Sequence, residues 1–158
     1  MSGNSASSQA SSPTQLVEAY LAAWNTRRGA SVVVALAPGG TYADPLLPGP
    51  VSGDDLAGYV GALAQAVPDF SFTAGEILES GDRVTLSWQM TGTQSGPPMP
   101  GLPGPTGGVL DLPGVDLIEV GSEGISSVVG YFDQITLLRQ LGMDVSIGLA
   151  QPDPNALM

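Results

Sequence analysis

Three observations predict an α+β domain in which helices cover one face of an antiparallel sheet. Apolar residues recur at helical spacing up to Val67, the period changes to two from Phe70, and a helical pattern returns after Asp133. Helices followed by a run of strands in one domain bury a single sheet face beneath the helices. At 158 residues the chain suits one domain with a real core, and its 22 Gly and 14 Pro call for many turns.

Residues 1–12 form a Ser/Ala/Asn/Gln tract without periodicity, expected to be disordered because it cannot bury enough surface to offset its ordering entropy. The domain is expected over 13–143. Ser12-Pro13-Thr14-Gln15 reads as a capping box with Pro at the first helical position. Leu16, Val17, Tyr20, Leu21 and Trp24 then follow one helical face, ending near Arg27-Arg28-Gly29. A short helix is expected through Ser31–Ala37, stopped by Pro38-Gly39-Gly40, and Thr41–Pro45 reads as a brief extended segment.

The next helix starts at Ser52, carries Leu56, Tyr59, Val60, Leu63 and Val67, and ends before Pro68. Phe70, Phe72 and Ala74 alternate with polar residues, Gly75 marks a bulge, and Ser80-Gly81-Asp82 turns the chain. Val84, Leu86, Trp88 and Met90 alternate with Arg83, Thr85, Ser87 and Gln89 in a half-buried strand. A strand from Val109 to Val120, kinked at Pro113-Gly114, is followed by one over Ile125–Phe132. The final helix opens at Asp133 and ends at Gly142, leaving 144–158 as a tail. The Pro/Gly-rich loop Ser95–Gly108 is too long for a hairpin turn; it is either a flap over a pocket mouth or an idle insertion.

Composition narrows the chemistry. Four Arg, no Lys and 15 acids give a net charge of −11, which repels nucleic acid and anionic membrane surfaces. No apolar run reaches the roughly 18 residues that cross a bilayer, and the N-terminus lacks a secretory pattern, so a cytoplasmic location is expected. Without Cys there is no disulfide or thiol catalysis; without His or Lys there is no imidazole base and no Schiff base. Proton transfer must fall to Asp, Glu or Tyr. No clustered acidic spacing supports a metal site, and no cofactor is expected.

Strict alternation puts Ile125, Ser127, Val129, Tyr131 and Asp133 on one face of the last strand. If that face is inward, Asp133 enters the core, where lost hydration raises its pKa toward the range useful for proton transfer. Asp133 is equally a natural N-cap, a role that stabilises its anion. Asp116 shares a face with Ile118 and Val120, as a second pocket carboxylate or as a sign of solvation near the strand end. Asp44 is either a pocket residue or an Asp-Pro turn opener. Tyr20, Trp24, Tyr42, Trp88, Met90 and Tyr131 are the large side chains available to line a cavity or fill the core.

The element order, Trp24 and Tyr42-Ala43-Asp44-Pro45 resemble the SnoaL-like polyketide cyclase family, within the ketosteroid isomerase and scytalone dehydratase superfamily. Gly130-Tyr131-Phe132-Asp133-Gln134 followed by Leu137–Gly142 is similar to that family's C-terminal signature, and Gly114–Ile118 to its strand pair. The resemblance implies a cone-shaped α+β barrel, a curved antiparallel sheet packed by three to four helices around an apolar pocket, in homodimers or homotetramers. It implies cofactor-independent intramolecular aldol ring closure of a small apolar polyketide-like substrate, with Asp133 as general acid/base; a Tyr or Asp116 is expected as the supporting donor. The absence of His departs from members whose pocket His assists the Asp. A pericyclic templating cyclase, an isomerase or dehydratase of the same fold, and a non-catalytic small-molecule-binding module stand as alternatives.

Overall fold

The computed structural model describes residues 10–156; most of the tract expected to be disordered lies outside them. The elements run α1 (Pro13–Asn25), α2 (Gly29–Val34), β1 (Thr41–Ala43), α3 (Gly53–Ala66), β2 (Ser71–Ser80), β3 (Arg83–Thr93), β4 (Val109–Gly121), β5 (Gly124–Phe132) and α4 (Gln134–Gln140). The strands form one curved, unclosed sheet in the order β1-β5-β4-β3-β2. β2 to β5 pair antiparallel, whereas β1 joins β5 in parallel, a departure from the purely antiparallel expectation. β1 precedes the meander and no hairpin ties it to β5, so its direction is free.

Local chemistry sets the boundaries. The Ser12 hydroxyl accepts the Gln15 amide at 3.1 Å while the Gln15 side chain accepts the Ser12 amide at 2.9 Å, completing the capping box. α2 starts at Gly29 and stops at Val34, earlier at both ends than expected. One face of the sheet packs on α1 and α3: Val17, Tyr20, Leu56 and Val60 are fully buried with Leu86, Leu110 and Ile118. Burying a large apolar side chain contributes roughly 1.5–3 kcal/mol, so this layer carries much of the stability.

Two bulges re-aim the strands. The β2–β3 register slips between Ala74 and Ile77, at the predicted Gly75. The second bulge was not foreseen: Glu119 pairs with Ser127 but Val120 pairs with Ile125, leaving Ser126 as the extra residue in β5. Ile125 points inward before it; Val128 and Gly130 are the buried positions after it. Through Pro113-Gly114, by contrast, the β3–β4 register is unbroken, so the expected kink does not interrupt pairing. Pairing of β4 with β5 begins only at Gly114, so Pro113 costs no hydrogen bond on that side.

The Pro/Gly-rich loop packs against the domain. Buried Gln94 accepts the Thr106 amide at 2.5 Å and its hydroxyl at 2.9 Å, and donates to the Gly96 carbonyl at 3.1 Å. Met99 and Leu102 exchange two backbone hydrogen bonds and are both buried. Residues 144–156 contain no helix or strand.

Candidate active site

Between α1, α3 and the concave sheet face lies an apolar cavity. Tyr20 and Trp24 come from α1, Tyr42 and Asp44 from β1 and its turn, Tyr59 from α3, and Phe72 from β2. Trp88 and Met90 come from β3, Asp116 from β4, Phe132 from β5, Leu137 from α4 and Leu102 from the long loop. The cavity is a narrow slot with a volume of about 50 Å³.

Asp116 is the most deeply buried acid facing it, at 6% exposure. The alternation of β4 puts it on one face with Ile118, as expected; that face is the buried one rather than a solvated strand end, and Asp116 lies between Leu86 and Gly130 on the neighbouring strands. Its Oδ1 accepts the Trp88 indole N–H at 3.0 Å, while its Oδ2 has no hydrogen-bond partner among the described residues. Burial pushes its carboxyl up to about 6 against the Trp88 bond, and the Asp44 charge adds to the rise.

Two glycines make room for this arrangement. A Cβ at Gly114 would overlap the Trp88 ring, and one at Gly130 would stand 2.9 Å from Asp116 Oδ1. Gly114 therefore lets the indole lie against β4 and reach the acid, and Gly130 clears the space that the carboxyl fills.

Asp44 forms the second polar group. Its Oδ2 accepts the Tyr42 hydroxyl at 2.8 Å and the Tyr59 hydroxyl at 2.5 Å, and its Oδ1 accepts the Leu46 amide at 2.8 Å. The turn-opening and pocket roles offered for Asp44 are thus combined in geometry. Burial, then the Asp44 charge, raise both phenols well above their ordinary value, so they remain donors at working pH.

Tyr20 is fully buried at the cavity wall, yet its hydroxyl has no hydrogen-bond partner among the described residues. Burial, then the Asp116 charge, hold its phenol well above the ordinary value, with the neighbouring Trp24 indole opposing. An unmet buried hydroxyl costs about 1–3 kcal/mol, a cost that a ligand oxygen would remove.

Tyr20, Trp24, Tyr42, Asp44, Trp88, Met90 and Asp116 thus converge on one slot. Asp133 and Tyr131 do not. Asp133 is exposed and caps α4, its Oδ1 accepting the Ile135 amide at 2.9 Å and its Oδ2 the Thr136 hydroxyl at 3.0 Å. The Thr136 hydroxyl, then the Thr136 and Ile135 amides, hold its carboxyl below the usual carboxylate range. Tyr131 is 56% exposed on the outer sheet face. The Ser126 bulge is the reason for both corrections, because it reverses the alternation and sends Phe132 inward in place of Tyr131. Tyr59, Phe72 and Phe132 are lining residues not singled out from sequence as cavity residues. Tyr59 and Phe72 carried a signal in their apolar periodicity; Phe132 carried none without knowledge of the bulge. Among the described residues, no group of three or more His, Cys, Asp or Glu side chains is placed to hold a metal.

The model of the family described as SnoaL-like polyketide cyclase matches residues 14–141. The chain belongs to the SnoaL-like polyketide cyclase family. Solved structures agree in fold. IdmH of Streptomyces antibioticus, a candidate polyketide cyclase, superposes with a TM-score of 0.70 at 22% identity, covering 84% of this chain and all (100%) of that one. AclR of Streptomyces galilaeus, a candidate hydroxylase, gives 0.69 at 21% identity over 86% of this chain and 88% of that one. A candidate SnoaL-like cyclase of Jannaschia sp. CCS1 gives 0.67 at 22% identity over 87% and 99%. No curated protein matches the chain in sequence. The family's members include polyketide cyclases, and among the described residues no helix is long and apolar enough to cross a membrane.

Proposed function

We propose that the slot is the active site of a polyketide-type cyclase that works by acid–base chemistry at a carbonyl, with Asp116 in the role first assigned to Asp133. The observation that carries this reading is a buried acid, raised to about 6, whose free oxygen has no other partner at an apolar cavity wall. A base poised near neutrality is effective because it is mostly ionised at pH 7 yet still draws a proton.

In this mechanism Asp116 Oδ2 removes a proton from the carbon α to a substrate carbonyl. The C–H electron pair becomes the C=C bond of an enolate and the carbonyl oxygen takes the charge. The Tyr20 hydroxyl donates to that oxygen, meeting its own unpaired proton and stabilising charge where it develops. The enolate carbon attacks a second carbonyl of the same molecule, and Asp116 returns its proton to the new alkoxide. Trp24, Phe72 and Trp88 hold the chain folded, so that ring closure starts near the reacting geometry. Asp44, bound to two phenols, fixes the Tyr42 and Tyr59 part of the wall.

Deuterium exchange into the α position of a flat bicyclic ketone such as α-tetralone, followed by NMR, isolates the first step without the natural substrate. Exchange should be catalysed by the wild type and lost in Asp116→Asn. No catalysed exchange in the wild type would contradict enolisation and favour a templating ring closure that needs no base.

A further inference from the structure

The slot presents two carboxylates, Asp44 and Asp116, and no cationic side chain. All four arginines of the chain lie elsewhere. Arg27 donates to the Phe70 carbonyl and stacks on its ring, Arg83 pairs with Glu119, Arg139 sits in the last turn of α4, and Arg28 precedes α2. Donors that would receive an anion are also committed: Tyr42 and Tyr59 bond Asp44, and Trp88 bonds Asp116. Among the described residues, the buried Tyr20 hydroxyl and the Trp24 indole N–H are the donors of the slot left uncommitted, and Asp116 Oδ2 is an acceptor left without a partner. The lining between these groups includes the aromatic rings of Trp24, Tyr42 and Trp88, and the negative quadrupole of a ring face attracts cations.

From this arrangement we infer that the slot selects ligands by charge: it accepts an uncharged carbonyl compound or a compact alkylammonium and excludes a carboxylate. This deepens the proposed function by naming its substrate class. An exposed acidic patch would also discriminate against anions, but screening over a Debye length removes that effect, whereas carboxylates in a narrow slot are poorly screened.

The test uses three compounds of one shape: neopentylbenzene, benzyltrimethylammonium, and the analogue with a carboxylate in place of one methyl of neopentylbenzene. The chain has two Trp and both line the slot, so their fluorescence quenching reports binding there, with no turnover required. The carboxylate should bind at least about tenfold more weakly than neopentylbenzene and the ammonium at least as tightly. Both orders should survive about 1 M NaCl. Asp44→Asn, with its fold checked by circular dichroism, should narrow the gap. Carboxylate binding within about threefold of the neutral compound, or a preference abolished by salt, would overturn the inference. Because binding alone is read, this result stands apart from the exchange experiment: charge selection with no α-exchange would sink only the enolisation chemistry.

Discussion

Replacing Asp116 with Asn should make the protein more stable and inactive at once. Burial raises the folded-state carboxyl from 3.8 to about 6, so the native state binds a proton more tightly than the unfolded chain. Unfolding free energy therefore falls as pH rises through that window, and above it the native state bears the full cost of a buried charge. At about 1.4 kcal/mol per tenfold in proton affinity, the difference is about 3 kcal/mol. Asn keeps an oxygen for the Trp88 N–H and removes the charge, so Asp116→Asn should recover most of that amount at pH 8. For a domain of this size the gain is a rise in Tm of about 6–12 °C. Thermal melts of both proteins from pH 3.5 to 8, followed by circular dichroism, check the sign and the window. The variant's advantage should shrink toward zero near pH 4, where the wild type is protonated. A variant no more stable at pH 8, or one whose advantage is the same at pH 3.5, would refute the reasoning.

Other expectations follow from the same geometry. Asp133→Ala should lower Tm by removing the α4 cap while leaving α-deuterium exchange unchanged; lost exchange in a folded variant would return the acid–base role to Asp133. Gly130→Ala should displace the Asp116 carboxyl and lower kcat more than it raises KM, because the added Cβ stands 2.9 Å from Oδ1; unchanged kinetics would show that the carboxyl position is not critical. Tyr20→Phe removes an unpaired buried hydroxyl, so stability should hold or rise by about 1 kcal/mol while kcat for exchange falls; a destabilised variant would reveal a hidden partner for that group. The rate of wild-type exchange against pH should rise through a midpoint near 6 as Asp116 ionises, and a flat profile from pH 5 to 7 would contradict that assignment.

Much of this architecture is legible in the sequence because its signals are local. The Ser12–Gln15 box, Pro68 after α3 and the alternation of β3 each act over a few residues, and the fold follows them closely. The face that Asp116 shares with Ile118 is legible for the same reason, since β4 keeps its period from Leu110 to Ile118, but whether that face is buried or solvated depends on what packs against it, which the sequence leaves open. The failure at Asp133 is a failure of parity. One extra residue, Ser126, leaves no compositional mark, since Ile125 to Tyr131 alternate plausibly in either phase. Its consequences reach seven residues along the chain and exchange Tyr131 for Phe132 in the slot. The tie between Asp44 and Tyr59, 15 residues apart in sequence, was invisible for a different reason: it depends on how α3 packs beside the turn after β1, which no local pattern encodes. Gly114 reads from sequence as part of a kink and Gly130 as an ordinary strand residue, and only the positions of Trp88 and Asp116 explain them.

The slot's chemistry depends on one carboxyl holding its proton far more tightly than a solvated aspartate does. Carbon-13 NMR titration of the aspartate side-chain carboxyls, with the Asp116 signal assigned by its loss in Asp116→Asn, measures this directly. A midpoint of about 6 for that signal is the predicted result, and a midpoint near 3.8 would contradict it.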